Sequence, residues 1–335
     1  MSVEGKIVER GPSFRIAIEK WIGQYGIYIP VVILLIVGPV VSGNFYTLTN
    51  LVSIIDSISL LGIVALGVAF VTYSGNYADM SIPSIMAFSG IVSISTLRFG
   101  IVVSLVLGIL AGLVIGAING LVVGKIKANP IIWTLAVEYV LLGVMQWAWG
   151  GKQVFVSSTT PAINDFFQLS RANLWGRIPL VFVIWLVFGV VTYILMTHSK
   201  FGRRLKLVGS SRDVASTTGI NVTSTIFLAF LLSALGAAIG GILLTSLVKL
   251  GVYYNGTGYD FNSVTAVVIG GITLAGGRGN IIGVFGGVLV IGLLANVLTL
   301  LGMSEFMETI VQGIIFILVV FVNAYSLRRS GRDDS

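Results

Sequence analysis

Long stretches without a single charged side chain recur along this sequence, and short polar segments separate them. Charged residues make up 10% of the chain, whereas a soluble domain carries roughly 25%. A helix crosses the hydrocarbon core of a membrane with about 20 apolar residues. We therefore predict an all-α integral membrane protein with about ten transmembrane helices. The predicted spans are approximately 27–42, 54–73, 83–97, 99–124, 131–149, 179–197, 226–249, 262–274, 281–302 and 307–325.

Lys and Arg are divided unevenly between the two sets of loops that ten spans create. The set that includes both termini holds 15 of these cations, and the other set holds five. Because cytoplasmic loops carry the excess of Lys and Arg, we predict that both termini are cytoplasmic. The chain then consists of an N-terminal segment (1–26), one transmembrane domain (27–325) with a cytoplasmic loop at 198–224, and a cytoplasmic tail (326–335).

The two halves of the transmembrane domain resemble each other weakly. Residues 113–143 align with residues 288–318 at an offset near 176, and Asn119 falls within one position of Asn296. A repeat unit of five helices crosses the membrane an odd number of times, so the two copies must be inverted. Inverted repeats are typical of transporters, in which the pathway follows the interface between the repeats.

The composition argues against enzymatic chemistry. The sequence has no cysteine and one histidine, and neither a catalytic triad nor a metal-ligand motif is evident. The segment "GGRGN" (276–280) lacks the lysine and hydroxyl of a nucleotide-binding loop. We therefore expect no enzyme activity, no metal or cofactor bound by this chain, and no nucleic-acid partner.

Glu138 lies inside a predicted span, where an ionisable group is costly and usually faces the bundle interior or a water-filled path. Two interpretations remain: a group that lines a pathway, or a protonated or paired glutamate bonded within the bundle. The candidate pathway-lining residues are Asn119, Thr134, Glu138, Asn296 and Gln312.

Two acid-and-serine motifs precede the two shortest predicted spans. Asp79 with Ser81, and Asp260 with Ser263, are most simply interpreted as helix N-caps. A third motif is interpreted as a tight cytoplasmic turn, with glycines for the bend and one cation. Its residues are Gly276, Gly277, Arg278 and Gly279.

The segment 198–221 carries five of the 20 Lys and Arg between two highly apolar spans. Asp213 is a helix-start signal and Gly219 a helix-stop signal, which predicts a short amphipathic helix between them. A basic, structured cytoplasmic segment of this kind is suited to dock a soluble partner.

Four segments carry a resemblance to a known family. They are "FGRRLKLVGSSRDVASTTGIN" (201–221), the long run 256–294, and the segments 78–91 and 116–143. Together they resemble the permease subunits of sugar-importing ABC transporters of the ribose, xylose and autoinducer type. In the first segment the matching residues are Phe201, Gly202, Arg203, Gly209, Ala215, Gly219 and Ile220.

The resemblance implies a subunit of an importer in the bacterial inner membrane. It implies that the 201–221 segment, including Asp213, couples this chain to cytoplasmic ATPase subunits, which use ATP and Mg²⁺. It also implies a second permease copy or a sister permease, and a periplasmic binding protein that delivers a sugar or related polyol.

This sequence departs from the family pattern mainly on one span. Ala136, Val137 and Leu142 replace the usual Gly, Thr and Arg, and Glu138 is added. These departures leave the cargo open to nucleosides or branched-chain amino acids. A different class of protein, an ion-coupled secondary carrier that uses Glu138, is the remaining alternative.

Overall fold

The computed structural model describes residues 27–155, 160–174 and 178–330, and these form a predominantly helical bundle. The predicted N-terminal segment 1–26 and the last five residues of the predicted tail lie outside the described residues. The helices are α1 (Tyr28–Val41), α2 (Leu48–Tyr73), α3 (Ile82–Ser95), α4 (Ile101–Leu121), α5 (Pro130–Ala148), α6 (Pro161–Gln168), α7 (Leu180–Thr197), α8 (Lys200–Ser210), α9 (Arg212–Thr217), α10 (Val222–Val248), α11 (Tyr259–Ile269), α12 (Ile281–Leu300) and α13 (Glu305–Ser330). Two short antiparallel strands, β1 (Asn173–Leu174) and β2 (Ile178–Pro179), lie before α7.

Each of the ten predicted apolar stretches contains a helix. Six of these helices, α2, α4, α5, α7, α10 and α12, are long and apolar enough to cross a membrane. The helices α1 and α3 and the central part of α13 are apolar but shorter, and α11 has only 11 residues. The all-α membrane class is confirmed in this form, while ten crossings stay a prediction.

Two helices lie where the sequence predicted loops. In the predicted cytoplasmic loop, Ser199 caps α8 by accepting a hydrogen bond from the Gly202 N–H at 3.0 Å. The α8 helix buries Leu205 and Val208 against the bundle. The other helix, α6, buries Ile163 and Phe166 against the chain around the start of α4.

The short helix α9 begins one residue before its predicted start. Ser211, not Asp213, is the cap, because its hydroxyl accepts a hydrogen bond from the Val214 N–H at 3.3 Å. Asp213 instead lies in the first turn, where a carboxylate favours the helix dipole. Gly219 follows the end of the helix with a positive φ of 79°.

The long helices α2 and α10 form the centre of the bundle and run antiparallel. Gly67 packs against the backbone of Ser233, whereas Gly240, two turns further along α10, packs against Val64 and Leu60, which come earlier on α2. A Cβ added to Gly67 would lie 3.0 Å from the Ser233 carbonyl oxygen, so the two backbones are nearly in contact. Small residues allow this close approach, which supplies packing energy where lipid provides no hydrophobic drive.

Helix contacts are exchanged between the two halves of the chain. In each half a long central helix is followed by a short helix and then by two further helices: α2 to α5, and α10 to α13. The central helix α2 packs against α11 and α12 of the second half, and α10 packs against α3 and α4 of the first half. Neither half therefore has a core that is complete without the other.

Replacing Gly241 tests how far stability depends on this packing. A Cβ on Gly241 would overlap the carbonyl oxygen of Met86 on α3, so Gly241→Ala should destabilise the protein by about 1–3 kcal/mol. Gly143→Ala is the matched control, because a Cβ there meets no atom within 4 Å. It should stay within about 1 kcal/mol of the parent. Thermal unfolding in detergent micelles measures both, and equal melting temperatures for the two variants would contradict the packing argument.

Candidate functional site

The helix α2 ends at Tyr73 and α3 begins at Ile82. We call the non-helical segment between them, residues 74–81, the break, and buried polar groups hold it in place. Oδ1 of Asp79 accepts hydrogen bonds from the Ser81 N–H at 3.0 Å and from the Ser81 hydroxyl at 2.5 Å. Asp79 therefore fixes the turn ahead of α3 and does not cap the helix itself. Both side chains are fully buried.

Two residues predicted to line a pathway anchor this break to the neighbouring helices. The Asn119 amide on α4 donates to the Ser81 hydroxyl at 2.9 Å, and its oxygen accepts from the Trp133 indole at 3.0 Å. The Thr134 hydroxyl on α5 accepts from the Met80 N–H at 2.9 Å. The structure thus joins Asp79, Ser81, Asn119 and Thr134 in one buried network.

The corresponding residues of the second half are less tightly connected. Asp260 is buried in the first turn of α11, and its carbonyl oxygen accepts from the Ser263 hydroxyl at 3.1 Å. The residue before α11 is Gly258, in a left-handed conformation, so Asp260 does not occupy the cap position that was predicted for it.

Glu138 is half-buried on α5, beside the start of α3, where its carbonyl oxygen accepts from Ser84 at 3.2 Å.

Asn296 forms a reciprocal pair with Asn50, which was not a predicted site residue. The Asn296 amide donates to the Asn50 oxygen at 2.8 Å, and the Asn50 amide donates back at 3.2 Å. Asn50 also donates to the Phe45 carbonyl oxygen at 2.8 Å. The pair joins α12 to the first turn of α2, and so joins the two halves of the chain.

Gln312 lies in a different environment, a groove between α11 and α13 with a volume of about 580 Å³. Polar side chains line the groove, namely Thr257, Asn262, Glu308, Thr309 and Gln312. The rings of Phe261 and Phe316 also line it, with their centroids 5.3 Å apart. Hydrogen-bonding groups beside aromatic faces suit a neutral polar solute.

The α8–α9 segment packs against the end of α2 and against the glycine-rich turn. The Phe201 ring lies 6.0 Å from the Phe70 ring, and Gly202 and Ala215 are buried. A Cβ on Gly209 would overlap the Tyr73 carbonyl oxygen. The side facing away from the bundle exposes other predicted residues, among them Arg203, Asp213 and Gly219, while Ile220 is half-buried.

The turn after α11 completes this contact. Gly276, Gly277 and Gly279 have φ angles of 84°, 70° and 134°, which a residue with a side chain adopts only with strain. The Gly277 N–H donates to the Tyr73 carbonyl oxygen at 2.9 Å, while Arg278 is exposed. The turn therefore docks on the end of α2 beside α8.

Arg212 and Asn76 form a link that the sequence analysis missed. The Arg212 guanidinium donates to the Asn76 side-chain oxygen at 2.6 Å, and the Asn76 amide donates to the Ser74 hydroxyl at 2.6 Å. Arg212 had counted only toward the charge bias of the loop. This bond fastens the start of α9 to the same 74–81 break that holds the buried polar network.

The chain forms a bundle of long apolar helices, with a buried polar break between α2 and α3 and the basic helices α8 and α9 at one end. These features define a multi-pass membrane protein. The chain belongs to the family described as "Branched-chain amino acid transport system / permease component", which matches residues 50–320. It is therefore a transport permease, and the resemblance predicted from its motifs is confirmed at this level.

Three relatives illustrate the similarity. The L-arabinose transport system permease protein AraH of Escherichia coli (strain K12) is 32% identical over 306 residues, which cover 90% of each chain. The ribose import permease protein RbsC of Bacillus subtilis (strain 168) is 32% identical over 311 residues, 92% of this chain and 95% of RbsC. The probable ABC transporter permease protein YphD of Escherichia coli (strain K12) is 32% identical over 325 residues, 96% of this chain and 95% of YphD. No solved structure matches the chain.

The buried network can be tested by removing one hydroxyl. Thr134→Val deprives the buried Met80 N–H of its acceptor, which should cost about 1–3 kcal/mol of stability. Thr134→Ser keeps the hydroxyl and should unfold close to the parent temperature. Thermal unfolding in detergent distinguishes the two variants. If Thr134→Val unfolds at the same temperature as the parent, the hydrogen bond to Met80 does not contribute to stability.

Proposed function

We propose that this chain is the membrane-spanning subunit of an ATP-driven importer and forms the translocation pathway for a sugar or related polyol. One observation carries the proposal: the chain matches permeases named for L-arabinose and for ribose over at least nine-tenths of its length. The family model covers residues 50–320, a range that contains the segment between α2 and α3, the helices α8 and α9, and residues 256–294. In this proposal ATP and Mg²⁺ are used by separate cytoplasmic subunits, and the chain itself has no enzymatic step.

The proposed topology has ten crossings, two inverted five-helix repeats and both termini in the cytoplasm of a bacterium, with the chain in the inner membrane. A two-fold axis in the membrane plane makes equivalent helices run in opposite directions. The antiparallel contact of α2 and α10 supports this symmetry, as does the exchange of contacts between the halves. The excess of Lys and Arg in one set of loops supports the orientation.

The proposed docking surface for the ATPase subunits is the exposed side of α8 and α9. This surface combines the cation Arg204 with the exposed apolar side chains Leu207 and Val214, and Arg203 and Lys206 lie at its edge beside the start of α12. Behind it, Gly209 packs against the end of α2, and Arg212 is bonded to Asn76. Force applied to α9 is therefore transmitted to the break between α2 and α3 through a direct bond.

A neutral cargo fits the polar inventory better than an amino acid. Away from their ends, the apolar helices α1 to α5, α7 and α10 to α13 carry the acids Asp56 and Glu138 but no Lys or Arg among the described residues. A zwitterion requires partners for both charges, and a basic partner for its carboxylate is absent from these helix interiors. The polar and aromatic side chains around Gln312 instead support a sugar or polyol, and a nucleoside has compatible chemistry.

The proposal includes three further components: a periplasmic binding protein that delivers the cargo, two ATPase subunits, and a second permease copy or a sister permease. It is tested in proteoliposomes that contain either this chain alone or the chain with its ATPase subunits. The loaded binding protein is added outside and ATP with Mg²⁺ is enclosed inside. Radiolabelled L-arabinose or ribose should enter only the complete vesicles, and leucine should not enter either.

Uptake by the chain alone under a proton gradient would contradict this proposal and favour a secondary carrier. In that event Glu138→Gln should abolish the uptake. Uptake of leucine by the complete vesicles would show that the cargo is a branched-chain amino acid. The ATP-driven mechanism would then still hold.

Substitution of Arg212 tests the coupling. Arg212→Gln removes the charged hydrogen bond to Asn76 and should lower sugar uptake about tenfold while ATP hydrolysis by the complete transporter continues. Lys125→Gln is the matched control, because Lys125 is an exposed cation that belongs neither to this bond nor to the proposed docking surface on α8 and α9. Uptake and ATPase rates measured in the same vesicles decide the matter. An equal loss for both variants would point to general charge attraction.

A further inference from the structure

A second cavity, of about 610 Å³, lies where the end of α7, the start of α8 and the start of α12 meet. We call it the basic groove, because the side chains of Arg203 and Lys206 line it. None of the described residues that line it is acidic. The groove therefore has positive charge that no lining side chain of the described chain compensates.

Tyr73 supplies a hydrogen-bond donor inside the basic groove. Its side chain is 8% exposed and belongs to the groove lining, at the last residue of α2. Within the described residues its hydroxyl has no hydrogen-bond partner, and the hydroxyl oxygen is not among the buried atoms. The hydroxyl is thus available to a ligand that enters the groove.

The start of α12 adds to the attraction for an anion. Asn280 caps this 20-residue helix, and residues 279–282 form one wall of the groove. The N-terminus of a helix carries a partial positive charge and free N–H groups, which favour phosphate and carboxylate ligands. Two cations, an accessible hydroxyl without a partner in the described residues, and a helix N-terminus therefore converge on the same space.

The basic groove continues into an apolar, exposed surface. Ile282 lines the groove and is 44% exposed, and the last turns of α7 expose Val190 and Ile194. These side chains belong to helices that are long and apolar enough to cross a membrane. A ligand with an anionic headgroup and apolar chains would place its headgroup in the groove and its chains on this surface.

We propose that the basic groove binds the headgroup of an acidic phospholipid, with the acyl chains along α7 and α12. The proposal rests on the proposed topology, which places this end of the bundle at the cytoplasmic leaflet, but it does not depend on the cargo. Basic pockets between transmembrane helices on the cytoplasmic side are suited to such headgroups. An acidic segment of a docked ATPase would match the charge of the groove. It would not account for the exposed apolar surface into which the groove continues.

The experiment is native mass spectrometry of the purified full chain in detergent, titrated with dioleoyl phosphatidylglycerol or with dioleoyl phosphatidylcholine. The parent should bind phosphatidylglycerol more tightly. Lys206→Gln should weaken phosphatidylglycerol binding about fivefold, as expected for one cation at a membrane surface. Tyr73→Phe should weaken it in the same direction, and the folded state of each variant is checked by its melting temperature.

Lys200→Gln is the matched control, since Lys200 is exposed on the same helix but does not line the groove. It should bind phosphatidylglycerol like the parent. Equal weakening by both lysine variants, equal affinity for the two lipids, or an equal affinity for inorganic phosphate would overturn the proposal. So would a Lys206→Gln variant that binds lipid normally but fails to assemble with the ATPase. Sugar uptake is not part of this readout, so the lipid site and the transport proposal fail separately.

Discussion

Contact between helix backbones at small residues is the constraint on which the rest of the structure depends. In a membrane, apolar side chains gain little by leaving lipid for protein, so helices associate through close packing and hydrogen bonds. The α10 helix meets α2 at Gly67, α3 at Gly241 and α4 at Gly116, and at each point an added Cβ would press on the opposite helix. Because these approaches fix the helix positions, they also fix where the two short helices and the polar breaks can lie.

Two groups of polar contacts hold the segment between α2 and α3 against its neighbours. Arg212 fastens α9 to Asn76, and the glycine-rich turn is fastened to Tyr73, the last residue of α2. A few residues further along the chain, Asp79 and Ser81 are tied to α4 and α5 through Asn119 and Thr134. The segment α8–α9 is therefore attached both to the end of α2 and to the non-helical residues between α2 and α3.

The sequence predicted the positions of the apolar helices well, because their signal is local: uncharged runs of sufficient length. It did not predict α8, because the charges of the segment 198–221 obscured the helical spacing of its apolar residues. Phe201, Leu205 and Val208 follow this spacing and all pack inward. The helix start predicted at Asp213 was one residue too late for a local reason, because Ser211 caps the helix and α9 begins at Arg212. A closer check of periodicity within the charged loop would have found α8.

Other features could not be predicted from one sequence. Asn119 was selected because it recurs in the repeat, yet its partner Ser81 lies 38 residues away and is identified only by tertiary packing. The same holds for Arg212 and Asn76, which are separated by 136 residues. Asp56 lies in a predicted span and was overlooked, although an acid in such a span is itself a signal. Residue identity thus shows which groups need a partner, and only the fold shows which partner they have.

The reciprocal hydrogen bonds between Asn50 and Asn296 make the contact between the two halves depend on the relative alignment of α2 and α12. Two amides that each donate to and accept from the other form a ring in which both bonds require the same alignment. A slide of α12 past α2 by one helical turn would break both at once, and a small tilt would break neither. Sliding of α12 along α2 therefore carries the cost of two hydrogen bonds together, which favours a single register of the two helices.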